Sequence, residues 1–236
     1  MTQHWLFDFG NTRLKGAPFA AGAVGDVRAF APGDMTALPY GDVAYLSSVA
    51  PEAHRVALID ALTQRFRRIA IARTSARFGP LRIAYADPQK LGVDRFLAMV
   101  AACESAPALV VGVGTALTID LVDEHGRHLG GRIAPSPTLM RETLHARVAQ
   151  LPVEGGVYTE FAADTEDALA SGCEGAAIAL VERSLAVATQ ALGRAPRVLL
   201  HGGGADAMRA HLAGVESRPA LVLEGLARWA ALETAA

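Results

Sequence analysis

The sequence predicts an α/β protein built from two similar halves. Three observations point there. Two strand–glycine turn–strand segments stand about half a chain apart, helix-prone stretches follow each of them, and a short buried strand runs into a glycine triplet near residue 202. The first segment is Trp5-Leu6-Phe7-Asp8-Phe9-Gly10-Asn11-Thr12, continuing through Leu14-Lys15-Gly16. The second is Ala108-Leu109-Val110-Val111-Gly112-Val113-Gly114-Thr115, continuing through Leu117-Thr118-Ile119-Asp120-Leu121-Val122. Aliphatic, β-branched and aromatic residues favour strands in both, and a glycine permits the reversal. Each has a small hydroxyl residue beside its turn, so each half opens with the same hairpin.

The helices follow from spacing and punctuation. Residues 52–68 place Val56, Leu58 or Ile59, and Leu62 on one side with charges opposite. Phe96–Glu104 reads as a helix after Asp94-Arg95. Thr138–Gln150 and Asp164–Leu192 are Ala-rich or otherwise helix-prone, and Gly193 and Pro196 end the latter. Arg197–His201 reads as a buried strand, and Leu223–Leu232 as a final helix. The boundary between halves is expected near Ser105–Pro107, giving an N-terminal half of residues 1–105 and a C-terminal half of 106–236.

Composition narrows the function classes. Of 236 residues, 51% are hydrophobic and 19% charged, which suits a packed core rather than a disordered chain. The formal net charge of −2 comes without a basic block, so neither a nucleic-acid nor a membrane partner is expected. Cys103 and Cys173 lack paired spacing and suggest neither a disulfide framework nor a zinc site. Met1-Thr2-Gln3-His4-Trp5 lacks the pattern of a signal peptide, and apolar runs such as Ala106–Val111 are too short to span a bilayer. A cytoplasmic protein is expected.

Several segments could carry chemistry. In Asp8-Phe9-Gly10-Asn11-Thr12-Arg13-Leu14-Lys15 an acid ends a hydrophobic strand and is followed by a donor-rich turn and a lysine. Phosphate binding calls for close backbone N–H groups, hydroxyl donors and a cation, and a nearby carboxylate can hold Mg²⁺. A plain hairpin with a surface lysine fits the same residues. Gly112-Val113-Gly114-Thr115-Ala116 could be a second phosphate turn. It also resembles a dinucleotide fingerprint, GxGxxG, but Leu at position 117 and a following strand instead of a helix count against that nicotinamide reading. His201-Gly202-Gly203-Gly204-Ala205-Asp206-Ala207 could bring backbone close to an adenine or ribose, or be only a strand-to-helix turn. No P-loop pattern occurs. Tyr85 and Gly92-Val93-Asp94-Arg95 are the candidate substrate residues: a carboxylate that accepts a hydroxyl proton beside a guanidinium that grips a substrate carboxylate. The pair could also be a helix cap with a surface charge. None of the seven histidines has metal-ligand spacing, and His125 and His128 are expected to be solvated in a polar hairpin turn.

Taken together these segments resemble type III pantothenate kinases, the Bvg accessory factor family. Asp8–Lys15 is similar to that family's DxGNTxxK motif, Gly92–Arg95 to GxDR, and Gly114–Asp120 to GTAxTxD. Gly130-Gly131-Arg132-Ile133-Ala134-Pro135 with Leu139-Met140 is similar to GGxIxPG…LM, and Thr165-Glu166-Asp167-Ala168 with Ser171-Gly172 to a later helix start. The motifs occur in the family's order across nearly the whole chain. The resemblance implies the actin-like ATPase fold of acetate and sugar kinases, heat-shock chaperones and actin, with two similar halves, each a mixed sheet with flanking helices. It implies ATP-dependent phosphorylation of pantothenate to 4′-phosphopantothenate, the first step of coenzyme A biosynthesis.

By the same resemblance Asp8, Gly10, Asn11, Thr12 and Lys15 line the ATP phosphates, with Asp8 near Mg²⁺, and Thr115 contacts ATP. Asp94 is the implied general base. Tyr85, Gly92, Val93, Asp94 and Arg95 bind pantothenate, and Thr165 reaches the site of a neighbouring subunit in a homodimer. Two positions depart from the family. Gly112 stands where many members carry an Asp that binds a monovalent cation, K⁺ or NH₄⁺, which argues for weaker dependence on that ion. Ser136 replaces the glycine of the Pro-Gly turn. Other function classes on the same fold are a non-catalytic nucleotide-binding regulator and another small-acid or sugar kinase. The intact Asp94-Arg95 pair favours catalysis over a sensor.

Overall fold

The computed structural model describes residues 3–31 and 33–233; Met1 and Thr2, part of the N-terminal segment considered above, lie outside them. In chain order the strands and helices are β1 (His4–Phe9), β2 (Leu14–Ala20), β3 (Ala23–Val24), β4 (Arg28–Phe30), β5 (Gly41–Ser48), α1 (Glu52–Thr63), β6 (Phe66–Ile71), β7 (Arg77–Phe78), β8 (Leu81–Arg82) and α2 (Val93–Ala102). Then follow β9 (Ala108–Val113), β10 (Ala116–Val122), β11 (His128–Pro135), α3 (Pro137–Arg147), α4 (Thr165–Leu192), β12 (Arg197–His201), α5 (Ala205–Arg209), β13 (Val215–Ser217) and α6 (Leu221–Glu233). They group into two units. The first is Met1–Glu104 with Gly126–His128 and Ala220–Ala236; the second is Ser105–His125 with Leu129–Pro219.

In the first unit β1 lies mid-sheet, antiparallel to β2 and parallel to β5, in the order β3-β2-β1-β5-β6, with β4 also on β2. The period-2 alternation of β1 sends Trp5, Phe7 and Phe9 to one face, where they pack with Leu46, Leu58, Leu62 and Phe66. Leu58 and Leu62 are the buried stripe of α1, while Val56 is exposed. The helix expected over 52–68 stops at Thr63, because Phe66–Ile71 pairs with β5 as a strand. The opposite face carries Leu6 and Asp8. α6 packs against β1 and against α2, and a Cβ at Gly225 would lie 1.9 Å from the Leu97 carbonyl oxygen. The two helices meet backbone to backbone there, which no other residue type allows.

The second unit repeats the plan. β9 lies antiparallel to β10 and parallel to β12, in the order β11-β10-β9-β12-β13. Ala177, Ile178, Val181 and Ala188 of α4 pack with Val111, Val113 and Leu200. α4 is the one helix among the described residues long and apolar enough to cross a membrane by length and composition, and this stripe of it is core. Its ends are those the sequence marks: the Asp164 side chain accepts the Asp167 N–H, and Gly193 closes it at φ 71°. At α3, Ser136 accepts the Leu139 N–H and Pro137 takes the first helical position. The departure from a Pro-Gly turn is therefore a helix cap here. The paired sheets realise the duplication that the two hairpins announce.

Candidate active site

The centre of the first sheet gathers the charged residues. Asp8 on β1 stands opposite Lys15 on β2 and Ser47 on β5, so all three share one face. Ser47 is fully buried, and its hydroxyl donates to Asp8 Oδ1 at 3.2 Å. Burial, and then the negative charge of Asp94, push the Asp8 carboxyl up from the ordinary 3.8 to about 7; the Ser47 hydrogen bond and the Lys15 charge pull the other way without cancelling this. A carboxylate under that pressure gains from a cation. It fits Mg²⁺, which commonly takes one or two protein carboxylates and completes its shell with water and substrate phosphates. Among the described residues no group of three or more potential ligands forms a closed metal cage.

Beyond Asp8 the hairpin closes through Gly10 N–H to Arg13 O at 3.0 Å, leaving Asn11 and Thr12 exposed at its tip. The turn offers donors to a ligand and keeps the lysine next to the acid.

Asp94 and Arg95 open α2. Asp94 Oδ1 accepts the Arg95 N–H at 2.8 Å, satisfying one of the unpaired donors of the first turn. A Cβ at Gly92 would lie 2.6 Å from Asp94 Oδ1, although φ there is an ordinary −54°. The glycine is thus required by space, not by backbone conformation: any side chain would push the carboxylate away. Arg95 is only 6% exposed, and its Nη1 donates to the Tyr85 hydroxyl at 3.3 Å. Tyr85 and Arg95 are brought together, and Asp94 lies close enough to Asp8 to raise its pKa.

Thr115 and Thr165 belong to the second unit. Thr115 is the exposed tip of the β9–β10 turn, which Gly114 N–H closes onto Ala116 O at 3.0 Å. Thr165 is the exposed first residue of α4. Gly112 is not in the turn but within β9, between Thr118 and His201. A Cβ there would lie 2.7 Å from Thr118 Oγ1 and 2.9 Å from His201 Nε2. In the glycine triplet, Gly204 N–H donates to Val113 O at 3.0 Å, and a Cβ at Gly202 would lie 2.3 Å from the same oxygen. The close approach these glycines allow is to the end of β9.

Two buried residues here have no signal in their sequence neighbourhood. Ser47 is one, because nothing local marks β5 as a strand. His128 is a correction: it is 3% exposed, not solvated, because its ring stacks on Tyr85.

The topology is shared by solved structures. One described as a conserved Baf family transcriptional activator from Campylobacter jejuni aligns with a TM-score of 0.69 at 17% identity, covering 98% of this chain and 100% of that one. One described as a 2-dehydro-3-deoxygalactonokinase protein from Sinorhizobium meliloti gives 0.61 at 14% identity, covering 97% and 96%. Two like halves, each a mixed sheet flanked by helices, place the protein in the actin-like ATPase fold class. The sequence profile described as type III pantothenate kinase matches residues 5–187. A curated type III pantothenate kinase of Stenotrophomonas maltophilia (strain R551-3) is 55% identical over 234 residues, covering 96% of each chain. The chain belongs to the type III pantothenate kinase family.

Proposed function

We propose that this protein transfers the γ-phosphoryl group of ATP to the terminal hydroxyl of pantothenate, giving 4′-phosphopantothenate for coenzyme A biosynthesis. The observation that carries the reading is the start of α2, where Gly92 leaves room for the Asp94 carboxylate and the next residue aims a buried guanidinium at Tyr85. A base beside a carboxylate receptor suits a small hydroxy acid.

Phosphoryl transfer needs positioning and charge stabilisation more than covalent chemistry. Asp94 accepts the proton of the attacking hydroxyl. Arg95 and Tyr85 hold the pantothenate carboxylate, with the backbone of Gly92 and Val93 against the acid. The donors of Asn11 and Thr12 and the Lys15 ammonium take the ATP phosphates, Gly10 leaves room for them to approach the turn, and Thr115 is assigned to the nucleotide as well. Asp8 would hold Mg²⁺, which offsets phosphate charge. Thr165 serves the site of a second subunit in a homodimer; the exposed apolar Val157 and Phe161 shortly before it support burial by a partner. The protein works in the cytoplasm and depends little on K⁺ or NH₄⁺.

The test is ATP consumption with pantothenate, with glucose, with acetate and with no acceptor, and the phosphorylated product identified by mass. Turnover with pantothenate alone is expected. ATP binding without acceptor-dependent consumption would refute it and favour a nucleotide-binding regulator.

A further inference from the structure

Tyr85 lies in a stretch without regular structure. Residues 83–87 run from β8 to the short helical turn Pro88–Lys90, tied through Ile83 N–H to Ala76 O at 3.0 Å. An irregular segment is a poor platform for a binding residue unless something packs it in place.

Gly126–His128 supply that support, and they group with the first unit. Arg82 N–H donates to Gly126 O at 2.9 Å, and a Cβ at Gly126 would lie 2.5 Å from Pro80 O, so backbone meets backbone. Ala84 N–H donates to His128 Nδ1 at 3.4 Å. The His128 ring lies nearly parallel to that of Tyr85, at 20° with centroids 6.0 Å apart. Tyr85 in turn accepts from Arg95, whose guanidinium carbon is 6.0 Å from the ring centre. One buried imidazole thus fixes the backbone before Tyr85 and the face of its ring. Accepting at Nδ1 requires the neutral tautomer that carries its proton on Nε2.

We propose that His128 is a positioning residue for acid binding: it orients Tyr85, and through Tyr85 the Arg95 guanidinium, without touching the substrate. The inference rests on the pantothenate reading above. Two variants separate its contacts. His128→Phe keeps a ring against Tyr85 and loses the acceptor; His128→Asn keeps an acceptor near the Nδ1 position and loses the ring. In both, the KM for pantothenate should rise roughly 5- to 20-fold, with kcat and the KM for ATP within about twofold of wild type. In a Tyr85→Ala background, His128→Asn should add no further rise, because its effect passes through Tyr85. Unchanged pantothenate KM in both variants, additive effects with Tyr85→Ala, or equal losses for both substrates would each overturn the proposal. So would loss of the folded transition in both variants, which would make His128 purely structural. Wild-type protein that fails to turn over pantothenate would instead refute the substrate assignment.

Discussion

Asp8→Asn should stabilise the protein while removing its activity. Asp8 titrates at about 7 in the folded chain against 3.8 ordinarily, because it is buried and faces the charge of Asp94. A carboxyl raised by folding contributes stability that is complete below its unfolded pKa and is lost as pH rises through its folded one. The window is therefore from about pH 4 to about pH 7, and stability falls across it. Linkage sets the loss at no more than about 4 kcal/mol, and near 2 where water relaxes around the charge. Asparagine stays neutral throughout and still offers an oxygen to the Ser47 hydroxyl. At pH 8, with Mg²⁺ chelated and nucleotide absent, Asp8→Asn should melt about 5–10 °C higher, at the 2–4 °C per kcal/mol of a chain this size. At pH 4 the difference should shrink towards zero. Thermal melts of both proteins from pH 4 to 8 measure this directly. A variant that is no more stable at pH 8, or a gap that does not narrow on acidification, would refute the reasoning.

Gly92→Ala should cost about 10- to 100-fold in kcat with little change in melting temperature, since only the Asp94 carboxylate has to move. Asp94→Asn should cost about 10²–10⁴-fold in kcat while ATP still binds, the range for loss of a general base; near-wild-type turnover would remove Asp94 from that role. Replacing K⁺ or NH₄⁺ by a large organic cation at fixed ionic strength should leave most activity, and steep activation from near zero would contradict this. Gly112→Asp alone should destabilise by about 1–3 kcal/mol, because the His201 ring already occupies the space a side chain needs. In verified heterodimers, an Asp94→Asn subunit with a Thr165→Ala subunit should regain activity in one of the two hybrid sites; no rescue would mean each site draws on one chain.

The hairpins were legible because glycine and small polar residues sit between strand-forming runs, and α4 because Asp164 and Gly193 bracket it. Phe66–Ile71 was not, since arginines at 67 and 68 continue the charged side of the preceding helix pattern. β5 offers only the short apolar run 43–46 between Asp42 and two serines, and its place between β1 and β6 makes it a strand. With β5 went Ser47. His128 looked like a turn residue, and its burial depends on a tyrosine 43 positions earlier, which no local period reveals. The residue roles that the sequence implies rest on the joint motif pattern, not on any one segment. Nor does any local pattern signal that a side chain at position 92 would meet the Asp94 carboxylate.

The contact between α2 and α6 bears on the order in which the chain can mature. α2 carries Asp94 and Arg95, and eight of its ten residues are buried. Yet α6, which helps cover it, lies more than a hundred residues downstream, with the whole second unit made in between. During vectorial synthesis the first unit must wait with α2 uncovered on that side until residues 221–233 have left the ribosome. Only then can Leu97 and Gly225 meet. Contacts of such wide sequence separation are slow to close, and they leave apolar surface open to chaperones or to misassembly meanwhile. The second unit, contiguous apart from Gly126–His128, is free to close earlier. A nascent chain arrested before α6 emerges should therefore protect the second unit from protease ahead of the first.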